Sequence, residues 1–221
     1  MTLRLNGSTS GYVEIDAPAT AGSNTLTLPN GNGSSGQYLQ TNGSGGLSWA
    51  TVSANYATWN QATQQTFTTQ SSHTWSGLSN VREAHVLLNR VNQATATGTW
   101  GFRLGTGGTL QTANYINYGR FEFGAGDWNL LENVSDDSFE LAVVTTHNRD
   151  DVTGTAHFYN VSGNTWMIQF EAVMDLDTTT FFMVRNIGTV TLSGALSDIS
   201  IFTSAGTWDS GSANLVYLTQ P

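Results

Sequence analysis

Residues 165–174, TWMIQFEAVM, decide the fold. Trp166, Ile168, Phe170, Ala172 and Met174 fall on one side of an extended chain, with Gln169 and Glu171 on the other. Apolar residues at a period of two mark a strand with one face buried. Working outward, the same period recurs. WGFRL places Trp100, Phe102 and Leu104 on one face, and FELAVV does so for Phe139, Leu141 and Val143. AHFYNV sets His157, Tyr159 and Val161 opposite Ala156 and Phe158, and FFMVRN, VTLSG, ISIF and LVYL follow towards the C-terminus. EAHVLLNRV (83–91) fits a helix, but its Ala84, Val86 and Leu88 fit a strand as well. Short alternating runs separated by Gly, Asn, Asp and Ser predict an all-β chain, an antiparallel β-sandwich of jelly-roll type.

Composition agrees. Charged residues are only 10% of the 221, so Thr, Ser, Asn, Gln and Gly must build most of the surface. Thr suits the pleat, and Asn and Gly suit tight turns. The seven basic residues, all arginines, are scattered against sixteen acidic ones, for a net charge of −9. Nucleic acid needs clustered cations and is not an expected partner. An anionic membrane surface would repel the chain, and no apolar run approaches the ~20 residues of a span, so no membrane insertion is expected. With no cysteine there is no disulfide, thiolate metal site or thiol catalysis. The first residues, MTLRLNGSTSG, carry no long apolar stretch of the secretory kind.

The chain reads as two parts, residues 1–55 and 56–221. The first is rich in Gly, Asn, Ser and Thr. Leu3 and Leu5 alternate with polar residues, as do Val13 and Ile15 with Tyr12 and Glu14, with a Gly-rich turn between the two runs. That predicts a hairpin. Leu26 and Leu28 alternate with Thr25 and Thr27 until Pro29 ends the run. Tyr38 and Leu39, then Leu47 and Trp49, are bracketed by Asn-Gly turns, whose residues accept positive φ. Some fifty residues with so few large side chains rarely sustain a core alone. The missing cover must come from the second part, from identical copies of the segment, or from another protein. Between the parts, Tyr56, Trp59 and Thr63 sit at weak helical spacing.

Three stretches of the first part, GYVEIDAP (11–18), AGSNTLTLP (21–29) and GSSGQYLQTNGSGGLSW (33–49), together resemble a module of bacteriophage structural proteins, those of marine and cyanobacterial phages especially. The match covers about forty residues, with Asn42 where Asp is also common. The resemblance implies a tail-fibre or other virion-appendage protein, made in the host cytoplasm and carried on the virion. It also implies an extended β-rich element, trimeric, in which three copies share one core. Tyr12, Val13, Ile15, Leu26, Leu28, Tyr38, Leu39, Leu47 and Trp49 are the residues expected to assemble or anchor it. SDISIFTSAGTWDSGSANLVYL (197–218) is similar to the closing strand–turn–strand of phage β-sandwich domains, with the turn at 206–212.

No enzymatic constellation emerges. His73, His85, His147 and His157 have no metal-ligand spacing, and no G-x-S-x-G turn occurs. Glu122, Asp127, Glu132, Asp136 and Asp137 offer carboxylates, but a glycosidase needs two facing each other across a cleft, which a sequence does not show. Asp136-Asp137, Asp150-Asp151 and Asp175-Leu176-Asp177 offer calcium ligands without a calcium motif, and read first as solvated turn residues. Gly105-Thr106-Gly107-Gly108 follows a strand but precedes no helix and no lysine, so it reads as a hairpin turn. No catalytic residue, metal site or cofactor is expected. YINYGRFEFGAGDWN (115–129) mixes aromatic rings with hydrogen-bonding side chains. Tyr115, Tyr118, Asp127, Trp128 and Asn129 are therefore candidates for a glycan, the alternative being that these aromatics fill the core or a subunit interface.

The expectation is a non-enzymatic virion structural protein, a homotrimeric fibre or appendage on tail, neck or head. Its partners would be itself, other virion proteins and a host surface polysaccharide. Two alternatives differ in location and action: a capsid decoration or cement protein, and a glycan-binding receptor-recognition module.

Overall fold

The computed structural model describes residues 3–52, 56–93, 98–123, 128–141, 151–175 and 181–220, and for 121–123 and 128–135 the backbone alone. The chain divides into two compact units, Met1–Ala54 and Asn55–Pro221.

In the first unit, β1 (Leu3–Asn6) and β2 (Tyr12–Ile15) form the antiparallel hairpin that their alternation predicts. The Gly7 N–H donates to the Gly11 carbonyl at 2.9 Å, and Gly11 sits at φ +75°. Arg4 faces Glu14, pairs with it, and lies over the Tyr12 ring at 3.9 Å. A second hairpin joins β3 (Gln37–Thr41) to β4 (Leu47–Thr51). Its turn is held by Asn42, whose Oδ1 accepts the N–H groups of Ser44 and Gly46 at 2.8 and 3.0 Å. The run at Leu26–Leu28 is no full strand. It reduces to one parallel bridge between Thr27 and Gly46.

In the second unit the strands, in chain order, are β5 (Thr58–Gln61), β6 (Gln65–Thr66), β7 (Ser72–Trp75), β8 (Val81–Gln93), β9 (Trp100–Thr106), β10 (Thr109–Leu110), β11 (Tyr115–Phe123), β12 (Trp128–Asp136), β13 (Phe139–Leu141), β14 (Asp151–Ser162), β15 (Thr165–Asp175), β16 (Phe181–Thr191), β17 (Asp198–Thr203) and β18 (Trp208–Thr219). The helical spacing around Tyr56 and Trp59 is overridden, because β5 and β6 pair along β18 instead.

Among the described residues these strands make two sheets. The smaller runs β10-β9-β17-β7, with β13 also on β9; the larger runs β12-β11-β16-β15-β14-β8-β18-β5, with β6 beside β18. Two hairpins, β11–β12 and β15–β16, lie at one end of the larger sheet. Without them, the orders are β5/β6-β18-β8-β14 and β7-β17-β9-β13. The first strand lies beside the last, the second beside the last but one, the third beside the sixth and the fourth beside the fifth. That is a jelly roll. The two hairpins then extend the larger sheet beyond β14.

The inward faces form one core. Phe102 on the small sheet meets Phe158 edge-on at 5.3 Å, and Trp100 meets Trp208 at 5.7 Å. Both geometries suit aromatic quadrupoles. As the alternation predicts, Trp100, Phe102, Leu104, Ala84, Val86, Leu88, Trp166, Ile168 and Phe170 are buried. The turn expected at 206–212 is only partly one. Trp208–Ser212 already belong to β18, which carries two register shifts here, and Gly211 at φ +92° allows its backbone to approach the Arg90 carbonyl. Under the extension of the large sheet, the buried Asn117 and Asn186 each donate from Nδ2 to the carbonyl of Glu140, at 3.2 and 3.1 Å. These bonds fasten β13 to the inner face of β11 and β16.

Candidate binding face

The outer face of the large sheet carries its residues in rows fixed by register. One row runs Tyr118–Ile187–Gln169–His157–His85–Val216–Gln61 from β11 to β5. The next runs Arg120–Arg185–Glu171–Thr155–Leu87–Asn214. Strand neighbours lie ~4.8 Å apart, so side chains in a row touch their neighbours.

Two features stand on this face. The first is an open concavity of about 340 Å³ over β11, β15 and β16. Gly119, Phe170 and Asn186 line it, yet the last two turn their side chains to the core and Gly119 has none, so backbone forms the floor. Gly119 is needed there, since a Cβ would come within 2.0 Å of the Asn186 amide nitrogen. The walls are Tyr118 and Ile187 in one row and Arg120, Arg185 and Glu171 in the next, with Gln169 beside them. Tyr118 is 43% and Ile187 46% exposed. The Arg185 guanidinium lies 3.5 Å from Glu171.

The second feature is an aromatic cluster around His85. Its Nε2 lies 2.7 Å from Glu83 Oε1, and its ring meets those of His157 at 4.5 Å and Trp59 at 5.3 Å. His157 stacks parallel to Tyr159 at 6.1 Å. Burial, and then the neighbouring His85, push the His157 ring below its ordinary pKa, against a weaker upward pull from Glu171 and Glu83.

The glycan candidates separate. Tyr115 is a correction: it is fully buried, and its hydroxyl accepts the Leu104 N–H at 2.8 Å, so it is a core residue. Tyr118, three positions on, faces outward into the concavity. Trp128 and Asn129 begin the edge strand β12, opposite Glu122 and Phe121, and Asp127 lies outside the described residues. The reading of residue types missed Arg120, Gln169, Glu171, Arg185 and Ile187, although all occupy polar-face positions of strands recognisable by alternation.

Of the assembly candidates, Tyr12, Val13, Ile15, Leu26, Leu28, Tyr38, Leu39 and Trp49 are exposed within their chain, and Leu47 is half-buried. Of the calcium candidates, Asp137 pairs with Arg103 and Asp151 with Arg90, each at 2.6 Å. Asp151 stands opposite Asp175, while Asp150 and Asp177 lie outside the described residues, as does His147. Among the described residues no three His, Asp or Glu side chains gather as metal ligands would.

Comparison with protein-family models, with curated proteins and with solved structures gives no match to this chain.

Proposed function

We propose that the chain is a non-enzymatic structural protein of a bacteriophage particle, a homotrimeric fibre or appendage on tail, neck or head. In this reading residues 1–55 assemble or attach the chain, and the jelly roll is displayed outward.

One observation carries the reading. The first unit has regular hairpins, but among its described residues no apolar side chain is buried: Ile15, Leu26 and Leu28 are 64%, 69% and 70% exposed. Fully burying one such side chain is worth ~1.5–3 kcal/mol, so covering the three on assembly supplies several times RT per chain. Large apolar side chains left exposed in this number over so short a segment are surface that a partner would cover. The module resemblance of 11–49 lies in the same residues, and it names the class of partner.

The test is the solution mass of the full chain beside a chain lacking residues 1–54, together with mass spectrometry of purified phage particles. The expected result is a trimer, a monomer after truncation, and the protein present in particles. A monomeric full chain, absent from particles, refutes the reading.

A further inference from the structure

We propose that a cavity at one end of the sandwich binds a single sugar-acid residue, a hydroxylated ring bearing a carboxylate. The proposal goes beyond the reading above and rests on the second unit alone, so a chain that failed to trimerise would leave it standing.

The cavity measures about 190 Å³ and lies where β8 begins, where β14 turns into β15, ahead of β17 and past the end of β18. Val81, Trp166 and Leu196 give it a buried apolar floor. Arg82 and the amides of Asn80, Asn160, Asn164 and Gln220 complete the lining. Backbone bonds fix the amide-bearing positions. Asn80 sits at φ +53°, and its carbonyl accepts the Gln220 N–H at 2.9 Å, while the Asn164 carbonyl accepts the Leu192 N–H at 3.0 Å. The guanidinium is held as well. Its Nη1 donates to Asn160 Oδ1 at 3.2 Å, and Asn160 Nδ2 donates to the Gly163 carbonyl at 2.8 Å, which ties Arg82 to the β14–β15 turn.

Two observations point to a ligand and to its chemistry. Trp166 is 1% exposed, and its Nε1 is buried with no acceptor. Trp75 and Trp208 share that lack, but neither lines this cavity. A buried N–H left unpaired is costly and uncommon. A ligand oxygen seated against the indole would pair it. The second observation is that no Asp or Glu is among the lining residues. An indole and a guanidinium only donate, and the amides donate as readily as they accept, so the lining is richer in donors than in acceptors. A neutral sugar hydroxyl must give a proton as well as take one. A carboxylate only accepts, and it takes two parallel bonds from a guanidinium. The amides are then left for ring hydroxyls, and Val81 and Leu196 for ring C–H groups. The volume falls below the ~300–1,000 Å³ of ordinary ligand sites, so the cavity takes one ring rather than a longer chain.

The test follows the Trp166 indole N–H in proton–nitrogen NMR spectra of the full chain, its peak assigned by its loss in Trp166→Phe. Calorimetry supplies the affinities. The probes are galacturonate, glucuronate, galactose and inorganic phosphate. One of the hexuronates should move the indole peak and bind with Kd on the order of 1 mM, at least ~10-fold more tightly than galactose. Arg82→Gln should weaken binding about 10-fold, because charged hydrogen bonds are lost. Arg82→Lys should weaken it less, because charge survives while the fork is lost. Asn164→Ala should weaken it too, and Arg185→Gln, on the outer face, should leave it unchanged. The proposal is overturned if neither hexuronate binds at roughly 20 mM, if galactose or phosphate binds as tightly as the better hexuronate, if the indole peak stays still on binding, or if Arg82→Gln binds as the parent does.

Discussion

Replacing Tyr115 with Phe removes one oxygen, and the structure says what that oxygen does. On one side β9 pairs with β17; on the other, β13 covers Trp100–Phe102 and β10 covers Gly105–Thr106. Leu104 falls in the gap between these two partners. Its carbonyl accepts the Gln111 N–H at 2.8 Å, and its own N–H donates to the Tyr115 hydroxyl at 2.8 Å. The hydroxyl thus substitutes for a missing ladder bond. In Tyr115→Phe the buried amide is left without an acceptor, at a cost of ~1–3 kcal/mol. For a unit of this size, that lowers Tm by about 2–4 °C per kcal/mol. Thermal and denaturant unfolding of the full chain measure it, with Tyr118→Phe as the exposed control, expected to be neutral. A second readout follows from titration. Burial raises the Tyr115 hydroxyl from 10.0 to about 12, opposed by the Leu104 hydrogen bond and nearby Arg103. An acid whose folded pKa is raised stabilises fully below its unfolded pKa and loses that contribution as pH rises towards 12. The parent should therefore weaken steeply above pH ~10, and Tyr115→Phe less so. A Tyr115→Phe protein as stable as the parent, with the same alkaline slope, refutes the assignment.

Gly188→Ala should destabilise by about 1–3 kcal/mol in denaturant unfolding, because its Cβ would lie 2.3 Å from the Ile116 carbonyl oxygen and 2.7 Å from the Phe139 ring. Asp198 is buried and accepts the Ser197 hydroxyl at 2.5 Å and the Gly108 N–H at 2.9 Å. Burial pushes its carboxyl up, but these bonds and one from Ser76 outweigh it and hold the pKa low. Its stabilisation is therefore present above the unfolded pKa and lost as pH falls below it. Asp198→Asn should cost ~1–3 kcal/mol at pH 7 and flatten the acid limb of the stability curve. The lowered pKa of His157 acts in the same sense, as does that of His73, where burial alone is the cause. Stability should fall as pH drops below about 6.5, and His157→Gln should remove part of that slope in urea titrations at stepped pH.

Much of the sandwich was legible because its information is local. Trp166 to Met174 state their period of two within one strand, and so do Trp100 to Leu104. Which strands pair is not local. The Arg120–Arg185–Glu171 row exists only through the register of β11 on β16 and β16 on β15, and no spacing in the chain announces it. Tyr115 and Tyr118 show a different failure. They were grouped by residue type, yet an odd offset within a strand puts two residues on opposite faces. Asn117 is buried on the same inward face as Tyr115, and its residue type gives no sign of this, because the Glu140 carbonyl that accepts from it lies on another strand. In the first unit the paucity of apolar residues was visible. The weakness of the Leu26–Leu28 strand was not, because one bridge to Gly46 replaces a full ladder.

The two asparagines and two glycines under β11 and β16 explain why the concavity sits where it does. A strand added to one sheet of a jelly roll has nothing opposite it, and its inner face needs cover. Here β13 is only three residues long, and it supplies that cover by close approach rather than by breadth. Gly188 lets the Phe139 ring settle against the strand, and Gly119 makes room for the Asn186 amide. Asn117 and Asn186 then donate to the Glu140 carbonyl and make it a fastening between the sheets. Each device works on the inner face, yet each fixes backbone from which Tyr118, Arg120, Arg185 and Ile187 project outward. A face so held is preorganised by its sheet rather than by loops. Gly188→Ala should therefore loosen the outer face along with lowering stability, read as faster amide exchange at Tyr118 and Ile187, although residue 188 does not line the concavity. Unchanged exchange at Tyr118 and Ile187 in a folded Gly188→Ala protein would mean that the inner fastening and the outer face are independent.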